Sequence, residues 1–133
     1  LIQFIKQAIR DLEQKGHSVE LAGIFYHMGE NEMSMPPYRK QAVGWLCETI
    51  AQTRIDLQLP QLMWYVSQQL PTNHEQVNDI DVVTEMEDLA AADKHLVHIK
   101  AFDLPEQPKQ LVIDTAGILR LGEVIAQSYL ESN

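Results

Sequence analysis

Three short apolar runs constrain the fold of this chain more than any other feature: LAGIFY at 21–26, LMWYV at 62–66 and HLVHI at 95–99. Continuous runs of this kind suit strands buried on both faces of a parallel sheet. Helical patterns surround them. In residues 2–14, Ile2, Ile5, Ile9 and Leu12 recur at spacings of three and four and form one apolar face, and Gly16 supplies a stop. Pro36 and Pro37 open a second helix that continues from about Tyr38 to Leu57, with Ala42, Leu46, Ile50 and Ile55 facing inward. Proline suits a first turn because its missing N–H had no partner there. Pro60 closes the connection to the second run. A third helix is expected over 76–92, with Asp79, Asp81, Glu85, Glu87 and Asp88 as a solvated face. The proline-bearing loop AFDLPEQPKQ then leads to a last helix over 115–130, capped by Asp114 or Thr115. Strict alternation of helix and strand predicts an α/β fold with a parallel sheet, in one domain over 1–133.

Composition narrows the partners. With 133 residues and 45% hydrophobic residues, the chain can fill one core. A net charge of −9 with no basic run disfavours nucleic acid and anionic membrane surfaces. No apolar run approaches the ~20 residues needed to span a bilayer. The single cysteine, Cys47, allows no internal disulfide, and its helical setting predicts a small buried hydrophobe. No signal peptide is visible, and compartment is left open. A start at Leu1 rather than Met suggests further sequence upstream.

All three runs end in polar residues: His27 to Glu32, Ser67 to Gln69, and Lys100 to Asp103. Ligand sites in open parallel sheets lie beyond the carboxyl ends of the strands. Ser67 is the one serine expected at such an end, and it is a weak candidate nucleophile because no G-x-S-x-G elbow surrounds it. His95 and His98 are three apart in an expected strand, so they point to opposite faces and do not share an ion. His27 and Glu30 lack a further ligand at a recognisable spacing, so no metal is expected. No P-loop or dinucleotide fingerprint is present, and no cofactor is expected. Gly117 and Gly122 read as packing glycines of the last helix.

The segment GIFYHMGENE, residues 23–32, resembles the G-hydrophobic-W-H-Q-G-E-S-D block of the sialate O-acetylesterase and acetylxylan esterase family, within the SGNH-type hydrolases. IDTAGILRLGEVIA resembles that family's C-terminal block, roughly D-x-x-H-F-D-T-x-G-x-x-x-L-G, through Asp114, Thr115, Gly117, Leu121 and Gly122. The resemblance implies a three-layer α/β/α fold of flavodoxin-like type, with sheet order 2-1-3-4-5. The three strands here would be the third, fourth and fifth, and the G-Q-S-N-like nucleophile loop would lie upstream.

Against those blocks, His27, Gly29 and Glu30 are retained. The glutamine that the family places after the histidine, as an oxyanion donor, is Met28, and a thioether cannot donate. The C-terminal histidine aligns with Val112 and the preceding aspartate with Lys109. His98 is a weak replacement base, with His95 and His74 less well placed. The first expectation is therefore a catalytically degenerate esterase-like domain acting as a structural or interaction module. A segment of an active carbohydrate O-acetylesterase and a sugar-binding module are the alternatives. Trp45, Trp64 and Tyr65 could offer stacking faces to a carbohydrate, but core packing is expected for all three. The expected partner is an upstream segment of the parent protein or a second copy, covering the charge-free edge of the first strand.

Overall fold

The structure is a computed structural model that describes residues 1–28, 36–68, 80–101 and 114–132. Its elements are α1 (Ile2–Gln14), β1 (Ile24–Met28), α2 (Pro36–Leu57), β2 (Trp64–Gln68), α3 (Ile80–Ala92), β3 (Leu96–Lys100) and α4 (Thr115–Ser132). The strands form one parallel sheet in the order β1-β2-β3. The fold is α/β, as the alternation requires, and is consistent with part of an SGNH-like domain.

Side chains alternate across this sheet and build two cores. Met28, Trp64, Val66 and Leu96 face α2 and α3, where they meet Ala42, Val43, Leu46, Ile50 and Met86. Tyr65, Ile99 and Ala101 face α4, where they meet Leu121, with Val124, Ile125 and Tyr129 around it. Helix α1 lies beside α2, giving the helix–sheet–helix layering. All five β2 residues are buried, as a central strand requires.

The helix ends follow local rules. Gly16, at φ +84°, ends α1: its N–H reaches the Glu13 carbonyl, and the His17 N–H reaches that of Leu12. Helix α2 ends in the same double bond, from Gln58 to Ile55 and from Leu59 to Arg54, although Gln58 must adopt φ 59° without being glycine. Asp114 caps α4 through Oδ1, which accepts from the Gly117 N–H at 2.7 Å. At Gly23, a Cβ would stand 3.0 Å from the Tyr65 ring, so the chain entering β1 needs glycine there.

Several expectations need correction. Each strand runs one or two residues further toward its carboxyl end than the apolar runs suggest. Backbone pairing is indifferent to side-chain polarity, so His27 and Ser67 lie inside strands rather than after them. His95 precedes β3 instead of belonging to it. Ile55 is 67% exposed, while Val43 and Thr53 are buried. Five residues advance a helix by about 140° beyond a full turn, which carries Ile55 off the stripe through Ile50. Cys47 is exposed for a similar reason, one step round from Leu46. Trp64 and Tyr65 are core residues, but Trp45 is 46% exposed. Gly117 is buried, whereas Gly122 is exposed with open space beside it. Glu85, Glu87 and Asp88 are exposed as expected, while Asp79 lies outside the described residues.

One side chain ties the layers together. The Arg54 guanidinium donates to the Leu62 carbonyl from Nε at 3.1 Å and from Nη2 at 3.0 Å. Nη2 also donates to the His95 carbonyl at 3.0 Å, and Nη1 pairs with Asp93 Oδ2 at 2.5 Å. Asp93 Oδ1 accepts the His95 N–H at 2.9 Å. Burial pushes the Asp93 carboxyl upward, but the Arg54 hydrogen bond, the His95 N–H and the Arg54 charge together hold it below the ordinary 3.8. A depressed folded value contributes stability above the unfolded one. That contribution should fade as pH falls below about 4. Arg54→Leu strands two carbonyls and a carboxylate, and should cost about 2–3 kcal/mol. Urea unfolding reads it as a lower midpoint at neutral pH, with the gap to wild type narrowing in acid. An unchanged midpoint would show that the network carries no net stability.

Candidate functional site

The in-register pairing places two polar couples at the carboxyl end of the sheet. His27 pairs laterally with Ser67, and Met28 with Gln68. On the α4 face, His27 Nδ1 and Ser67 Oγ share a hydrogen bond of 2.7 Å. The histidine is exposed, whereas Ser67 is 1% exposed. The serine hydroxyl therefore sits beneath the imidazole and fixes its orientation, and it presents almost no surface to solvent. A histidine beside a serine is half of a hydrolytic arrangement, but the attacking oxygen must also reach a substrate carbonyl.

The opposite face carries the second couple. Met28 is 1% exposed and belongs to the core formed with Leu46, Trp64 and Met86. Beside it, Gln68 is fully buried. His98 Nε2–H donates to Gln68 Oε1 at 2.8 Å, which leaves Nδ1 as the acceptor nitrogen of that ring. Gln68 Nε2 is buried without a hydrogen-bond partner, an arrangement that costs about 1–3 kcal/mol. His98 is the middle residue of β3, on the side covered by α3. Burial lowers its pKa from the ordinary 6.5, and Lys100 lowers it further, while Glu87 raises it. Glu87 and Lys100 form an ion pair, and the lysine holds the Glu87 carboxyl below its ordinary value.

The candidates thus fall on two faces. His27 and Ser67 meet, while His98 stands across the sheet from both, with Gln68 as its partner. His98 and Ser67 do not form a base–nucleophile pair. Gly29, Glu30, Val112, Lys109 and His74 lie outside the described residues. Among the described residues, no cluster of His, Cys, Asp and Glu could hold a metal ion, and no helix is long and apolar enough to cross a membrane. Arg54 and Gln68 were the residues that sequence patterns did not single out. A glutamine directly after a candidate serine was the available signal for the second.

Two measurements follow from this geometry. By NMR, His98 should titrate below the ordinary histidine value. Because its folded pKa is depressed, its contribution to stability is present above about 6.5 and is lost as pH falls through the folded value. Ser67→Ala should cost about 0.5–1.5 kcal/mol through loss of one hydrogen bond, and should change the His27 ring signals while leaving those of His98 in place. A coupled change in both rings would contradict the two-faced arrangement.

A family model described as a carbohydrate esterase, sialic acid-specific acetylesterase, matches residues 2–131. No curated protein and no solved structure matches the chain. The parallel sheet, the strand-end position of His27 and this match over nearly the whole sequence lead to one assignment: the chain belongs to the sialic acid-specific acetylesterase family of carbohydrate esterases.

Proposed function

We propose that this carbohydrate esterase-like domain is catalytically silent and serves as a structural or interaction module. The observation that carries the reading is the state of Met28. The resemblance puts an oxyanion-donating amide at this position. Here the side chain is a thioether turned into the hydrophobic core at 1% exposure. Losing one such donor typically costs about 10²–10³ in rate. Valine at 112, where the family's histidine is expected, can take no proton. Ser67 does not compensate, because its hydroxyl is buried and engaged by His27.

The interaction role rests on the free side of β1. In the described sheet β1 pairs only with β2, and no charged residue interrupts Ile24–Met28. Phe25 is 52% exposed. Beside it runs an apolar groove of about 460 Å³, with Gly122, Ile125, Ala126, Tyr129 and Leu130 along the α4 side. Uncharged edges of this kind are templates for strand addition. The proposed occupant is a strand from upstream in the parent protein or from a second copy.

The reading is tested by assaying a small aryl acetate and O-acetylated sugars. Turnover should not exceed background. Turnover that vanishes in Ser67→Ala would overturn it and make Ser67 the nucleophile. For the edge, amide exchange at Ile24 and Phe25 should slow as concentration rises, together with a larger species on sizing, if a second copy pairs there. It should slow on supplying the upstream segment if that is the partner. Free exchange under both conditions would refute the proposed surface.

A further inference from the structure

Helix α2 carries a second surface, away from the strand ends. Its apolar residues are spread round the axis rather than gathered on one stripe, so Tyr38, Trp45 and Ile55 remain exposed opposite the core. Tyr38 and Trp45 lie 6.3 Å apart between ring centroids, tilted by 46°. Trp45 borders an open hollow of about 690 Å³ whose other described lining includes Glu48, Thr49 and Gln52. The hydrogen-bonding state of these groups is one-sided. The Thr49 hydroxyl donates to the Trp45 carbonyl at 2.7 Å, and Gln52 Nε2 donates to Asp56 Oδ1 at 2.8 Å. Both donors are spent within the helix. Acceptors remain: the Glu48 carboxylate, Gln52 Oε1 and the lone pairs of Thr49.

An aromatic face flanked by acceptors calls for a ligand with an apolar face and outward-pointing donors. A pyranose ring has both, since its C–H face stacks on an indole and its hydroxyls donate. We propose that Trp45, supported by Tyr38 and flanked by Glu48 and Gln52, is a binding platform for a neutral pyranose residue. The class of ligand accords with the carbohydrate-esterase family, but the site does not depend on whether the chain hydrolyses anything. Glu48 sets the charge preference. A sugar carboxylate would meet a like charge, so sialic acid itself should be excluded from this platform.

The test uses the indole N–H signals of the full chain. The protein has two tryptophans, with Trp64 at 1% exposure and Trp45 at 46%, so the two report separately on core and surface. On titration with xylotriose, the Trp45 signal should shift and saturate while the Trp64 signal stays in place. N-acetylneuraminic acid should leave both unmoved. Trp45→Ala should abolish the xylotriose response seen at neighbouring amides of α2, and Trp45→Phe should retain part of it. No shift at Trp45 with xylotriose would overturn the proposal. So would a stronger response to glucosamine that disappears in Glu48→Gln, which would make this an ammonium site. Because the readout is binding, it can fail while the esterase assay agrees with silence, and the reverse.

Discussion

The Arg54 fork is the interaction on which the sheet's alignment depends. It joins the last turn of α2 to the carbonyls of Leu62 and His95, just before β2 and β3 begin. Trp64 N–H in turn donates to that same His95 carbonyl. A planar group with several fixed donors is suited to holding two chain ends at once, which lysine could not do. With the starts of β2 and β3 fixed together, Trp64 pairs with Leu96 and every later pairing follows. The face on which Ser67, Gln68 and His98 each appear is therefore decided some distance from where their side chains act.

That alignment explains how family residues can persist without the family's chemistry. His27 is held by Ser67 on one face, and Met28 fills the core on the other. Both roles serve packing and orientation. A substitution from an amide to a thioether at 28 removes a donor but improves the fit to Leu46, Trp64 and Met86, since a thioether tolerates irregular apolar surroundings. Gln68 sits next to it with an unpaired amide, so the polar cost has moved to the adjacent strand.

Much of the architecture was legible because it depends on local rules. Alternating runs gave the order of elements, Gly16 the end of α1, and Asp114 the start of α4. The Arg54 network was not legible, since its acceptors are backbone carbonyls 8 and 41 residues away, which no side-chain pattern marks. The strand ends were misplaced because apolarity reports burial, while pairing reports backbone geometry. His27 and Ser67 were each visible as polar residues near strand ends, but their contact required the lateral register of β1 on β2. The exposure of Trp45 was missed because apolar residues occur all round α2, leaving no periodic signal to say which face turns inward.

Catalytic silence makes a direct chemical claim: no serine of this chain is an activated nucleophile. Incubation with a fluorophosphonate probe, followed by mass measurement of the intact protein, tests it without choosing a substrate. The account predicts an unmodified mass at full folding. Stoichiometric addition of one probe, mapped by peptide fragmentation to Ser67, would contradict it and show that the His27–Ser67 pair opens to solvent and performs the first half of an acyl transfer.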